Sequence, residues 1–408
     1  MKLIGSIVDF ADDLTEIRRD LHAHPEVGFE EVRTASVVAD RLTSWGIEVH
    51  KGIGCTGVVG IVRGDRPGAT IGLRADMDAL PMQELADVRY RSQRPGAFHG
   101  CGHDGHTAML LGAARYLAAT RKFPGQIMLI FQPAEEGLRG ARAMIEDGLF
   151  ERFPCREVYG LHNWPNGPVG RVTVKLGVAM AASDSFDIAI GGTGGHGAQP
   201  QFARDPTIVA VTLAQALQTI VSRNVSPIDA AILSITQIHA GSAYNVIPET
   251  AALAGTIRSF DAQVRSNVHQ RMRELASGIA AAFGVTIDVT INEGYRSLCN
   301  SEEHALAAIN IARELVGPEL AVVVDTQETG SEDFSDMLSI VPGAYLLLGQ
   351  GPGPSLHNPF YVFNDQILPI GASLLARIAE ERATALANSG LGTHKPQRTR
   401  AKPAKARK

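Results

Sequence analysis

The chain has 408 residues, 45% of them hydrophobic and 20% charged, with a formal net charge of −5. That balance describes a globular protein with ample core, and no apolar run reaches the ~18 residues a membrane helix needs. At roughly 100–200 residues per domain, the length predicts two or three domains.

The N-terminus lacks the basic, then apolar, then small-residue order of a secretory signal, so a cytoplasmic location is expected by default. Leu14, Ile17 and Leu21 mark a helical face. Val38, Leu42 and Trp45 mark a second, with Gly46 as its stop. Apolar runs at Gly57–Val62 and Thr70–Leu73 read as strands joined by the turn-rich Gly64–Gly68. Thr107–Leu117 reads as a helix, and Ile127–Phe131 and Val158–Leu161 read as buried strands. Cys55, Cys101, Cys155 and Cys299 are far apart, which fits free thiols in a reducing compartment and not a disulfide scaffold.

A different unit begins near Ser183. Phe186, Ile188 and Ile190 alternate as in a half-buried strand. Asp205 and Pro206 form an N-cap and a first-turn proline opening a helix to about Ser222. Ile232–Ile238 and Ala251–Phe260 read as strands. Asp261 caps a helix with the stripe Val264, Val268, Leu275 and Ile279, stopped by Gly284. Val285, Ile287, Val289 and Ile291 alternate again. The order is β-α-β-β-α-β, the ferredoxin-like pattern. After Tyr295 come a helix near Glu302–Leu315, a capped helix from Ser331, a strand at Tyr345–Leu348 and a final helix near Ile367–Leu386. These pieces are too few for a third domain. The expected organisation is an α/β catalytic domain in two parts, 1–182 and 294–388, with a ferredoxin-like unit inserted at 183–293.

From Lys395 to Lys408 the chain carries seven of its 38 basic residues and no acidic one, leaving 31 basic against 43 acidic residues elsewhere. Residues 389–408 therefore read as a disordered basic tail. Contact with nucleic acid is the lesser alternative to a merely solvated tail.

Metal-ligand residue types concentrate in a few places. Phe98-His99-Gly100-Cys101-Gly102-His103-Asp104-Gly105-His106 packs three histidines, a cysteine and an aspartate into nine residues. Thiolate and imidazole ligate zinc and similar ions, and a bending glycine loop lets Cys101 and His103 face one ion. Gln132-Pro133-Ala134-Glu135-Glu136-Gly137 follows a buried strand, where open α/β sheets place their sites. One glutamate of such a pair can bind metal while the other carries a proton. His162 ends another apolar strand, and His357 lies in a Gly/Pro-rich loop. Asp76 and Asp78 face the same way in an extended chain. Either orients a ligating histidine, or both are turn-forming residues. In the inserted unit, Gly194–Ala198 presents His196, Asn245 offers an amide, and Arg258 suits either a substrate carboxylate or a structural ion pair.

In combination these motifs resemble the M20 family of metallopeptidases and amidohydrolases, in the branch of hippurate hydrolases, aminoacylases and auxin-conjugate hydrolases. CGHDGH, PAEEG, LHN, GGHGA, NVIP, GTIR, SEDF and LHNP occur in that order, between Arg18–Glu26 and Phe363–Asp365. The resemblance implies a zinc-peptidase-like catalytic domain and an inserted domain that mediates dimerisation. It implies two divalent ions (zinc, manganese, cobalt or nickel) held by Cys101, His103, Glu136, His162 and His357. Glu135 would be the general base and Asp78 the carboxylate behind a ligand. His196 would reach a partner subunit's site, and Asn245 and Arg258 would bind substrate. Peptidase branches place a histidine ligand where Asp76 stands, so the chain follows the amidohydrolase pattern. Gly100 stands where that branch often has alanine.

The implied activity is hydrolysis of small N-acyl amino acids by a homodimer. Glu135 takes a proton from metal-activated water, a metal and His196 stabilise the oxyanion, and Glu135 returns the proton to the leaving amine. Alternatives are a dipeptidase or carboxypeptidase, an N-acetyl-diaminopimelate-type deacetylase, and, from another class, a catalytically silent metal or amino-acid binder.

Overall fold

The computed structural model describes residues 1–389. The basic tail expected beyond them lies outside the described residues. The α/β architecture expected from the sequence is present as an eight-stranded and a four-stranded sheet, with two two-stranded ribbons among the described residues.

The larger sheet has eight strands in the order Glu48–Ile53, Gly57–Arg63, Pro124–Gln132, Arg66–Asp76, Glu157–Trp164, Gly343–Gly349, Val172–Lys175, Ala321–Val324. Its four central strands, from Pro124–Gln132 to Gly343–Gly349, pair in parallel. Their carboxyl ends therefore share one edge, and this places the motifs together. These strands read as continuous apolar runs because helices cover both faces. On one face lie Ala11–Ala23, Val32–Ser44, His103–Thr120, Glu302–Val316 and Leu368–Asn388, packing Leu14, Val38, Leu110, Ile309 and Leu375 against Leu73 and Leu129. On the other, the short helices Gly140–Glu146, Leu149–Arg152 and Phe334–Leu338 pack Met144, Leu149 and Phe334 against Met128, Ile130 and Val158.

The second sheet is antiparallel, in the order Ala231–Ala240, Thr250–Ser259, Ala182–Gly191, Thr286–Glu293. Pro206–Thr219 and Ala262–Phe283 cover one face, giving it a core of its own around Phe186, Ile188, Leu213, Leu253, Val268 and Met272. Asp205 and Asp261 cap these helices by accepting backbone N–H bonds, and Gly284 ends the second in the left-handed region. Along that helix Val264 and Val268 are buried as expected, but Met272 and Ala276 take the inner positions further on, while Leu275 and Ile279 are only partly buried.

Several boundaries differ from the sequence reading. Glu48–Ile53 is an edge strand with a largely exposed burial pattern, so it carries no alternation to detect. The turn Gly64–Gly68 shortens, because the next strand already begins at Arg66. The helix expected from Ser331 begins at Phe334, since Glu332 and Asp333 are drawn into a buried ion-pair network. The helix expected from Thr107 begins at His103. Among the described residues no helix is long and apolar enough to cross a membrane.

Candidate metal centre and active-site cleft

Residues 101–106 are a loop followed by a helix start. Cys101 lies in the loop, and Gly102, at φ 91°, occupies the left-handed region that turns the chain into the helix. A Cβ there would lie 2.4 Å from Asn163 Oδ1 and 2.8 Å from the Tyr361 hydroxyl, so both dihedral and space demand glycine. At position 100 a Cβ would come within 3.0 Å of the Phe98 ring, which occupies the space an alanine methyl would need. His103 is the first residue of the helix, placed two residues beyond Cys101 by the bend at Gly102.

The other motifs arrive from the parallel strand ends. Glu135 and Glu136 follow the strand ending at Gln132, and His162 lies within the strand ending at Trp164. Two left-handed residues shape the loops, Ala134 at φ 53° and His357 at φ 62°. Such conformations cost on the order of 1–3 kcal/mol and persist where surroundings over-determine them. Here the Ala134 N–H donates to Glu31 (2.8 Å) and the His357 N–H donates to the Gly100 carbonyl (2.9 Å).

Asp78 lies behind this cluster. Its Oδ1 accepts from His103 Nδ1 at 3.1 Å, and its Oδ2 accepts the Glu136 N–H at 2.8 Å. His103 Nε2 is thereby aimed away from Asp78. His162 Nδ1 donates to the Asn163 carbonyl at 2.6 Å, and its Nε2 lies 3.5 Å from Cys101 Sγ. His357 Nε2 lies 3.2 Å from Glu136 Oε1. Ligand atoms of Cys101, His103 and His162 all lie within 4.8 Å of one another, and so do those of Cys101, Glu136 and His357. The two groups share Cys101.

This donor set fits a divalent ion on its own geometry. His103 Nε2 is buried without a hydrogen-bond partner, a costly arrangement that calls for a ligand, and Glu136 Oε1 is met at hydrogen-bond distance only by His357 Nε2. Thiolate, imidazole and carboxylate together suit zinc and its neighbours. Burial pushes the Cys101 thiol and the Glu135 carboxyl upward, Glu135 further through the nearby Glu332, Glu136 and Asp333. Burial, then the neighbouring His106, holds His162 well below the ordinary imidazole range. Hydrogen bonds to Cys101 and Glu136 push His357 up to about 10. A bound cation would reverse this logic at Cys101 and His357, because ligands bind deprotonated.

Asp76 is not interchangeable with Asp78. It lies 2.5 Å from His106 Nδ1 and 2.6 Å from Arg74 Nη1, and His106 Nε2 lies 2.7 Å from Asn163 Oδ1. The third histidine of the motif is therefore fully occupied in the wall behind the site.

A supporting network spans residues far apart in the sequence. Buried Arg74 also meets Glu332 at 2.8 Å, Asp333 at 3.2 Å and Gln132 at 2.8 Å. The Tyr345 hydroxyl donates to Glu332, and the Tyr295 hydroxyl donates to the Glu135 carbonyl. The only available signal was the motif Ser331–Phe334, which gave no role. Further back, Asp104 accepts from His22 Nδ1 at 2.8 Å, and Arg18 bridges Asp104 (3.4 Å) and Asp365 (2.7 Å). The first and last motifs of the chain thus meet behind the cluster.

A cleft of about 530 Å³ opens over the cluster. Cys101, Glu135, Glu136, His162 and His357 form its floor, and Ser183, Ser185, Thr256, Arg258 and Asn292 of the smaller sheet form its roof. Arg258 Nη1 donates to the Thr256 hydroxyl and the Ile257 carbonyl. Among the described residues no carboxylate forms an ion pair with it, and Asp184 is the nearby acid. His196 and Asn245 do not line this cleft. They sit exposed on the short ribbon Gly195–His196 and Val246–Ile247, where the Gly197 N–H donates to the Asn245 carbonyl at 2.8 Å. Backbone pairing in the ribbon holds both at the surface, away from Arg258 of the same chain.

Residues 72–381 match the model of peptidase family M20/M25/M40. The chain is 43% identical over 379 residues to a hippurate hydrolase of Campylobacter jejuni, covering 93% of this chain and 99% of that protein. It is 41% identical to an N-acetyl-L-cysteine deacetylase of Bacillus subtilis, covering 86% and 84% respectively. Among solved structures it is similar to a dinuclear metal-binding M20 peptidase of Bacillus subtilis, with a TM-score of 0.80 and 33% identity over 92% of this chain and 99% of that one.

Proposed function

The chain belongs to peptidase family M20/M25/M40, and from that premise we propose that it hydrolyses N-acyl amino acids to a carboxylic acid and a free amino acid. The observation that carries this reading is the buried, unpartnered His103 Nε2 grouped with Cys101, Glu136, His162 and His357 beneath a cleft roofed by Arg258.

Two divalent ions would be held by Cys101, His103, Glu136, His162 and His357. Such ions, when bound, activate water and polarise an amide carbonyl. Zinc, manganese, cobalt and nickel all suit these donors. Glu135 is buried at the cleft floor. It takes a proton from the attacking water and delivers it to the departing amine. Asp78 keeps His103 in the tautomer that presents Nε2. Arg258 holds the substrate's carboxylate with its planar fork of donors.

His196 and Asn245 are assigned to a second subunit's cleft. Exposed apolar side chains support a homodimer: Ile208 and Val211 on one helix, Ile238 on the edge strand Ala231–Ala240, and Tyr244 and Val246 at the adjoining ribbon. Apolar side chains beside an unpaired strand edge favour association. The four unpaired cysteines suit a reducing, cytoplasmic setting.

The test is hydrolysis of N-benzoylglycine and N-acetylmethionine by chelator-stripped protein and after return of each metal. Metal-restored release of the free amino acid is expected. A folded dimer inert with every metal on both substrates would overturn the reading.

A further inference from the structure

The loop that carries Glu135 and Glu136 is tied to the segment that carries the smaller sheet. The chain enters that sheet at the strand Ala182–Gly191 and leaves it after the strand Thr286–Glu293. The two crossings run side by side. The Ser183 N–H donates to the Tyr295 carbonyl and the Gly294 N–H donates to Asp184, both at 3.0 Å. Ser183 is also the register partner of Arg258 on the neighbouring strand. Two side-chain bonds then join the return crossing to the catalytic loop. The Tyr295 hydroxyl donates to the Glu135 carbonyl, and Arg139 donates to the Glu293 carbonyl. A continuous path of paired backbone therefore runs from Arg258 through Ser183 and Tyr295 to Glu135.

Glu135 depends on such ties. Among the described residues its carboxylate has no ion pair and no hydrogen bond, and the carboxylates of Glu332 and Asp333, with oxygens within 4.8 Å, repel it. Its aim is therefore set by the backbone that bears it. That backbone follows a left-handed residue, Ala134 at φ 53°. Its carbonyl is held by the Gly137 N–H at 2.8 Å from within the loop, and by buried Tyr295 from outside it. We propose that Tyr295, seconded by Arg139, is a positioning residue for the general base, fixing Glu135 in register with the substrate-binding Arg258 from the crossing between the two sheets. The proposal rests on the reading of Glu135 as the base and adds the residues that place it.

The test uses the metal-loaded full chain and Tyr295→Phe, which removes the hydroxyl and keeps the ring. A catalytic group misplaced by about 1 Å can cost 100-fold, so kcat for N-benzoylglycine should fall by about 10–100-fold. KM should change by less than about twofold, the signature of an interaction spent on the transition state, and metal content should equal the parent's. In a Glu135→Gln background the same change should add almost no loss, because its effect passes through Glu135. Losses that multiply would mean that Tyr295 touches substrate or only supports packing, and would overturn the proposal. An undiminished kcat in Tyr295→Phe would overturn it too. Arg139→Ala cuts the second tie and decides the matter if Tyr295→Phe does not fold. It should lower kcat alone and add nothing to Glu135→Gln, and either failure counts against the proposal. Hydrogen exchange at residues 135–139 reads the tie without turnover. It should quicken by about 2–10-fold in Tyr295→Phe or Arg139→Ala, the equivalent of one hydrogen bond, with exchange in the central strands of the larger sheet unchanged. If the parent is inert with every metal, the reaction reading has failed, and exchange alone then decides: quickened exchange upholds the tie, and unchanged exchange refutes it.

Discussion

His103 and Asp78 are joined ring to carboxylate at 3.1 Å, both fully buried, with the histidine's other nitrogen left without a partner. The carboxylate does not touch the ligand space; it decides which nitrogen faces it. Removing such a carboxylate from behind a metal-binding histidine typically costs 10–100-fold in affinity. Asp78→Ala should therefore weaken metal binding by about that factor, as read by competition with a chromogenic chelator. Metal affinity equal to the parent's would show that His103 is oriented by packing alone.

Arg258 leads to a different signature. A charged hydrogen bond is worth roughly 1.5–3 kcal/mol, so Arg258→Ala should lower kcat/KM for an N-acyl amino acid by about 10–100-fold. The same variant should show little further loss on the corresponding amino-acid amide, which lacks the carboxylate. Equal losses on both substrates would place the guanidinium outside the carboxylate contact.

The exposed position of His196 predicts complementation between subunits. Glu135→Gln should reduce kcat by about 10²-fold or more while retaining metal, and His196→Ala should also be impaired. After the two inactive proteins are mixed and allowed to exchange, random pairing restores about a quarter of the sites, since mixed dimers contain one intact combination. Sedimentation would report the dimer and a hydrolysis assay the rescue. Dimers that exchange yet stay inactive would mean that His196 serves no partner site.

Glu157 links acid stability to the fold. It opens a central strand and accepts from Arg382 of the last helix at 2.6 and 2.8 Å. Burial opposes its charge, but hydrogen bonds from Arg382, His304 and Tyr159 prevail and hold it at about 2 against an ordinary 4.5. Because the folded value is depressed, the stabilisation is fully present above about 4.5 and fades as pH falls toward 2. Glu157→Gln should destabilise the protein at pH 7 by on the order of 3 kcal/mol. The difference from the parent should shrink in denaturant titrations between pH 4.5 and pH 2. A gap that stays constant with pH would assign the loss to packing.

The sequence alone determined most of the longer elements and the candidate ligands. Periodicity located Ala182–Gly191 and Ala262–Phe283, because alternation and a capped stripe are local consequences of burial. Cys101, His103, Glu136, His162 and His357 were legible as candidates because metal-binding residue types cluster there in glycine-rich turns or at strand ends. The tertiary structure alone decided their partners. Arg74 and Glu332 are 258 positions apart, and Arg18 and Asp365 are 347 apart. Nothing local distinguishes such charges from solvated ones; they meet because the parallel strand order brings distant carboxyl ends to one edge. The same order separated Asp76 from Asp78, giving one to His106 and the other to His103. It also set Arg258 over the cluster while leaving His196 and Asn245 on the outer ribbon, because sheet pairing sets where each strand residue faces and residue type does not.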